Sequence, residues 1–241
     1  MNNYKAVVTY DGTKYHGWAV QKNNETIQQI IQNNLHQIFN KSVTIYGSGR
    51  TDAFVHAYNQ VFSFKVDTQL KPSSILSSLN KMLPDDIKIK SLKNVDPDFN
   101  ARFSAKSKEY IYKINLDKDN VFLNNYALLY IKPIDIKKIK ECASFFVGVH
   151  NFLSFSISDI EDTVRTISTI KVIKKGKLIE IRVVGNGFLR GMVRMLIGAI
   201  LDYNEDKKTK EDITKLLNNP KKGSSITKVR ACGLYLNKVR Y

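Results

Sequence analysis

The chain is 241 residues long and 43% hydrophobic, enough to bury a core as one or two domains. Its 38 Lys and Arg against 22 Asp and Glu leave a net charge of +16, an excess that attracts phosphate backbones and speeds association with polyanions. The longest uncharged apolar run of the late helix, "MLIGAIL", is far short of the roughly 20 residues of a membrane span, and "MNNYKAVVTYDG" lacks the apolar stretch of a signal peptide.

"YKAVVTY" (4–10) reads as a strand followed by the turn "DGTKYHG". Ile27, Ile30, Ile31, Ile38 and Phe39 mark one face of a helix from about Thr26 to Asn40. "SVTIYGS" (42–48) and "QVFSFKV" (60–66) alternate as strands, so Arg50, Thr51 and Asp52 fall on the connection between them. A helix with Pro72 in its first turn covers about 72–83, and a short strand runs near 86–92. "EYIYKINL" (109–116) puts Tyr110, Tyr112, Ile114 and Leu116 on one face of a strand, and a helix near 134–147 turns Ile136, Ile139, Ala143 and Phe146 inward. "RTISTIKVI" and "LIEIRVVG" form a hairpin through "KKGK". "GFLRGMVRMLIGAILDY" (187–203) reads as a buried helix apolar almost all round, with Arg190 and Arg194 four apart on one face. A helix at 209–218 and a strand at 233–239 close the chain. No Gly-x-Gly-x-x-Gly opens a helix and strands are numerous, so the expected class is α+β: a mixed, largely antiparallel sheet flanked by helices. Cys142 and Cys232 are too far apart for a zinc or disulfide framework and read as core residues, which predicts a reducing, cytoplasmic home.

Three segments carry polar groups that the local pattern does not require. "GSGRTDAFVHA" (47–57) sets an acid in a basic chain; a turn residue capping a backbone N–H would explain Asp52 as well as a chemical role would. "FNARFSAKSKEYIY" (99–112) is a basic, aromatic entry into a strand, and "GFLRGMVR" carries guanidinium groups into an apolar helix. With only eight arginines against thirty lysines, an arginine suggests that its planar fork of donors is needed, and Arg50, Arg102, Arg190 and Arg194 all lie in these segments. Arg194 in such a helix calls for a carboxylate or phosphate partner, with Asp52 a candidate and a structural ion pair with another acid the alternative. His56 reads as a hydrogen-bonding spacer, and no histidine has a partner at metal-ligand spacing.

"YDGTKYHGWAVQ", "GSGRTDAFVHAYNQV", "FNARFSAKSKEYIYKI", "TVRTI", "GNGFLRGMVRMLIGAIL" and "GLYLNKVRY" occur in the order and approximate spacing of the TruA family of tRNA pseudouridine synthases, which the chain resembles along its whole length. The resemblance implies a pseudouridine synthase-like fold of two half-domains, 1–105 and 106–241, around a central basic cleft. It assigns the catalytic carboxylate to Asp52, its paired arginine to Arg194, and contact with the target uracil to Tyr110. Arg50 and Arg102 are expected on phosphates, while Tyr112 reads as core. It further implies a homodimer that uses no cofactor or metal, has no membrane attachment, and isomerises uridines of the tRNA anticodon stem-loop at tRNA positions 38 to 40. A non-enzymatic, RRM-like RNA-binding protein or chaperone would share the charge and aromatic residues but leave Asp52 and Arg194 without purpose. A metal-dependent nuclease would need clustered acids, and Asp85–Asp86 and the acids at 159–162 read more simply as caps. The chain departs from the family pattern at Phe54, where glycine is usual, at Ala19 and Asn59, where glutamine and glycine are common, and at Cys232, where proline is common. Phe54 would be strained if that glycine normally has positive φ.

Overall fold

A computed structural model describes all 241 residues. In chain order the first elements are β1 (Asn2–Tyr10), α1 (Ile27–Phe39), β2 (Ile45–Gly47), β3 (His56–Val66), α2 (Pro72–Met82) and β4 (Ile87–Asn94). There follow β5 (Ser107–Asn115), β6 (Leu128–Leu129), α3 (Ile136–Ser144), β7 (Gly148–Asn151), β8 (Val164–Lys175) and β9 (Leu178–Gly185). The chain ends with α4 (Met192–Asn204), α5 (Lys210–Asn218) and β10 (Leu234–Arg240). The strands are largely antiparallel and helices flank them, which is the α+β class that the sequence predicts.

Two compact units divide the chain: Met1–Lys106 with Tyr235–Tyr241, and Ser107–Leu234. In the first, β1 lies between β4 and β3, both antiparallel to it, and β2 adds to β3. Alternation along β1 turns Tyr4, Ala6, Val8 and Tyr10 inward, with Tyr4 opposite Phe64 and Ala6 opposite Phe62. Helix α1 buries Ile27, Ile31 and Leu35, one residue per turn, and α2 buries Ile75 and Leu79. The closing residues join this unit because Tyr235 and Leu236 pair in parallel with His56 and Ala57, and Lys106 N–H donates to Arg240 C=O at 2.8 Å.

Strand β3 begins at His56, before the apolar alternation starts at Val61. Polar residues can enter it because their hydrogen bonds are met inside. Gln60, fully buried, accepts from Ser48 Oγ at 2.6 Å and donates to Gly49 C=O at 2.9 Å.

In the second unit β9 lies between β5 and β8, and β7 pairs with β8, all antiparallel. Gly176, at φ +56°, turns the β8–β9 hairpin. Helix α4 buries every residue except Arg194 and Tyr203. It starts at Met192, however, so the expectation that Arg190 and Arg194 share one helical face is corrected. Gly191 takes φ +77°, and Arg190 N–H donates to Ser158 Oγ at 2.9 Å while its C=O accepts from Ile157 N–H at 3.1 Å. These bonds tie Arg190 to the neighbouring loop, and its side chain is exposed. No helix is long and apolar enough to cross a membrane.

Just past α4, Glu205 accepts from Lys132 Nζ at 2.5 Å and from Tyr130 Oη at 2.9 Å, and Lys207 Nζ lies 2.7 Å away. Bonding to Lys132, then to Lys207, lowers the Glu205 carboxyl from an ordinary 4.5 to about 2. A lowered folded-state value stabilises the fold above about pH 4.5, and this stabilisation is lost as pH falls through about 2. Glu205→Gln is therefore expected to lower the melting temperature at neutral pH, with the gap to wild type closing as the pH is taken down across that window. A gap that stays constant with pH would remove the carboxylate from the stability of this corner.

Candidate active site

The loop carrying Asp52 is held from beneath by residues 10–18. Thr51 C=O accepts from Trp18 N–H at 3.1 Å, and the hydroxyls of Thr51 and Tyr10 share a hydrogen bond of 2.8 Å. Burial pushes the Tyr10 phenol well above its ordinary range, so this anchor stays neutral. Phe54 N–H donates to Tyr15 C=O at 3.0 Å, and Gly12 N–H donates to His56 Nδ1 at 3.1 Å.

Two glycines allow the backbones to come this close. A Cβ on Gly12 would stand 2.1 Å from Val55 C=O, and one on Gly17 would stand 2.5 Å from Thr51 C=O and 3.0 Å from the carbonyl carbon of Asp52. Gly17 also takes φ +94°, which side-chain-bearing residues rarely adopt. On the other side of the loop Gln60 and Ser48 tie its approach to β3. The outcome is a half-buried Asp52 on a loop fixed at both ends, with Arg50 exposed two residues before it.

Tyr10, Gly12, Gly17, Trp18 and Gln60 support the loop although their own sequence pattern does not mark them for it. Their signal lay in "YDGTKYHGWAVQ", whose glycines read as a turn until the partner backbone is known. His56, buried at 2% exposure and stacked on Tyr235 at 4.6 Å between centroids, serves as the hydrogen-bonding spacer expected of it. Phe54 stands at φ +65°, so the strain considered for a side chain at this position is present.

Arg102 is also in the first unit, on the turn after Asn100, which accepts from its N–H at 2.9 Å. Its guanidinium stacks on Phe103, itself 78% exposed, at 5.3 Å. Ala101 next to it is buried and tied to β3 and the chain's last residue: its N–H donates to Ser63 Oγ and its C=O accepts from Tyr241 Oη, both at 3.0 Å.

Tyr110 and Arg194 belong to the second unit. Tyr110 sits on β5 opposite Val183, largely buried, with Phe188 edge-on to its ring at 5.1 Å. Tyr112, two residues on, is completely buried, and its hydroxyl donates to Arg230 C=O at 2.7 Å. That makes it the core tyrosine the sequence suggests. Arg194, half-buried on α4, donates through Nε to Val229 C=O at 2.7 Å, which fixes the angle of its guanidinium. No group of three or more His, Cys, Asp or Glu is arranged to hold a metal ion.

Comparison with known proteins agrees with the motifs. The family model described as tRNA pseudouridine synthase matches residues 6–104 and 142–241. The tRNA pseudouridine synthase A of Malacoplasma penetrans (strain HF-2) is 46% identical over 240 residues, covering 99% of each chain. Those of Ureaplasma parvum serovar 3 and Mycoplasma genitalium are 42% and 38% identical over essentially their whole lengths. With both the aspartate loop and the arginine helix inside the matched residues, this chain belongs to the TruA family of tRNA pseudouridine synthases.

Proposed function

We propose that this protein isomerises uridine to pseudouridine in tRNA, in the anticodon stem-loop at tRNA positions 38 to 40, acting as a cytoplasmic homodimer. The observation that carries the reading is an acid on a loop clamped by two close-approach glycines, in a chain of net charge +16. A turn residue needs no such clamp; a group that must meet a reacting atom at fixed distance does.

Pseudouridine formation breaks the C1′–N1 bond, turns the uracil and joins C5 to C1′, with the C5 proton lost at the end. Asp52 starts the sequence, either by attack on carbon or by removing the C2′ proton. Arg194 is proposed as its counter-charge and Tyr110 as the ring that holds the detached uracil; both roles rest on the correspondence of motifs. Arg50 and Arg102 are proposed on phosphates flanking an unstacked target, where exposed guanidinium groups can reach.

Chemical mapping of pseudouridine in an unmodified tRNA transcript tests the reading. Conversion within the anticodon stem-loop that persists in excess chelator is expected. Binding without conversion would favour an RNA chaperone, and strand cleavage a nuclease. Tyr110→Ala should lose turnover by on the order of 100-fold, and Tyr110→Phe, which keeps the ring, should lose less while binding tRNA normally. A phenylalanine variant at full speed would limit Tyr110 to stacking.

A further inference from the structure

Phe54 combines two features that folding alone does not favour. Its backbone is left-handed, at φ +65°, where glycine would be free of strain. The residue is 46% exposed, so burial offsets only part of that strain. The conformation is nevertheless firmly set: Phe54 N–H donates to Tyr15 C=O at 3.0 Å, and Val55 N–H to Asp52 C=O at 3.2 Å.

The ring has one aromatic neighbour, His16, with centroids 5.8 Å apart and planes at 55°. His16 is exposed as well, yet its backbone is pinned at both polar groups. Its N–H donates to Glu25 C=O at 3.0 Å, and its C=O accepts from Gln21 Nε2 at 2.7 Å. Two exposed residues with fixed backbones thus set their rings side by side, and one of them, Phe54, is two residues beyond Asp52 and four beyond the exposed Arg50.

Exposed rings on fixed backbones suit a nucleobase: the π-face of any base stacks on them, and little conformational entropy is lost on contact. We propose that Phe54, braced by His16, is a substrate-binding residue whose ring stacks on a base next to the target uridine, holding the RNA open once that uridine has left the stack. The proposal rests on the reading of Asp52 as the catalytic carboxylate. Strain at an exposed site is retained because the ring meets substrate, and glycine in its place would relax the backbone and remove the platform.

The test compares wild type with Phe54→Gly and Phe54→Trp on an anticodon stem-loop RNA. The RNA carries 2-aminopurine on one or the other side of the target uridine, whose fluorescence falls on stacking. Wild type and Phe54→Trp are expected to quench the probe on one of the two sides, and Phe54→Gly to leave it bright. Phe54→Gly should melt at or above the wild-type temperature, yet show KM for tRNA raised roughly ten-fold, with the loss falling on KM rather than kcat. Unchanged KM in Phe54→Gly, or quenching that does not depend on residue 54, would overturn the proposal. Wild-type turnover measured alongside separates the two claims. An inactive wild type overturns the reading of function, whereas an active wild type with an unaffected Phe54→Gly overturns only the stacking role.

Discussion

Asp52→Asn is expected to fold, to bind tRNA at least as tightly as wild type, and to form pseudouridine at no measurable rate. Asparagine is nearly isosteric with aspartate and keeps a side-chain oxygen that can accept a hydrogen bond. Three bonds that hold the loop, Trp18 N–H to Thr51 C=O, Tyr10 to the Thr51 hydroxyl and Phe54 N–H to Tyr15 C=O, are made by atoms that the substitution leaves in place. What the substitution removes is a charge that can attack carbon or take a proton, and with it one negative charge near the phosphates of the RNA. An aspartate kept only to cap a turn would give the opposite pattern, near-normal turnover with at most a small change in stability. Thermal melting, tRNA affinity and pseudouridine yield measured on one preparation distinguish the two.

Gly17→Ala should be strongly damaging although it adds a single methyl group outside the reacting residues. The added Cβ would lie 2.5 Å from Thr51 C=O, a backbone atom with no room to rotate away, and alanine at φ +94° is strained in any surroundings. Strain and overpacking together cost about 2–4 kcal/mol. For a chain of this size that is a fall in melting temperature of roughly 5–12 °C. Relief of the clash must move Thr51 and Asp52, and a displacement near 1 Å at a reacting group lowers turnover by about 100-fold. Affinity for tRNA should change only a few-fold, since the exposed Arg50 and Arg102 keep their charge. If Gly17→Ala turned over normally, the clamp would have no part in placing Asp52.

Much of this architecture was legible because burial leaves a period in the sequence. Tyr4, Ala6, Val8 and Tyr10 alternate inward along β1, and Pro72 marks the start of α2. Cys142 and Cys232 are buried, free thiols, as their isolation in the sequence suggests. Periodicity says little about backbones that cross. The apolar run from Gly187 reads as helix, yet Gly191 in a left-handed conformation delays α4 to Met192 and leaves Arg190 in the loop before it.

The candidate site shows the same division. Asp52, Arg50 and Arg194 stand out as residue types out of keeping with their local pattern, whereas Tyr110 fits the alternation of its strand and is marked by the family resemblance. Gly12 and Gly17, which set the loop's position, look like any turn glycines, because their importance lies in a backbone 34–43 residues away in the chain. Gln60 is similarly quiet: an amide inside a strand gains meaning only when Ser48 and Gly49 are seen to meet it. Phe54 could be flagged as unusual from sequence, but its φ of +65° and its exposure come from the structure alone.

Release of tritium from tRNA transcribed with [5-³H]uridine tests the central claim most directly, because the C5 proton leaves only when the new C–C bond is completed. Wild-type protein incubated with this RNA and no added cofactor is predicted to release tritium in step with the pseudouridine formed, all of it from the anticodon stem-loop. A folded wild-type protein that binds the same RNA and leaves its tritium in place would contradict the account.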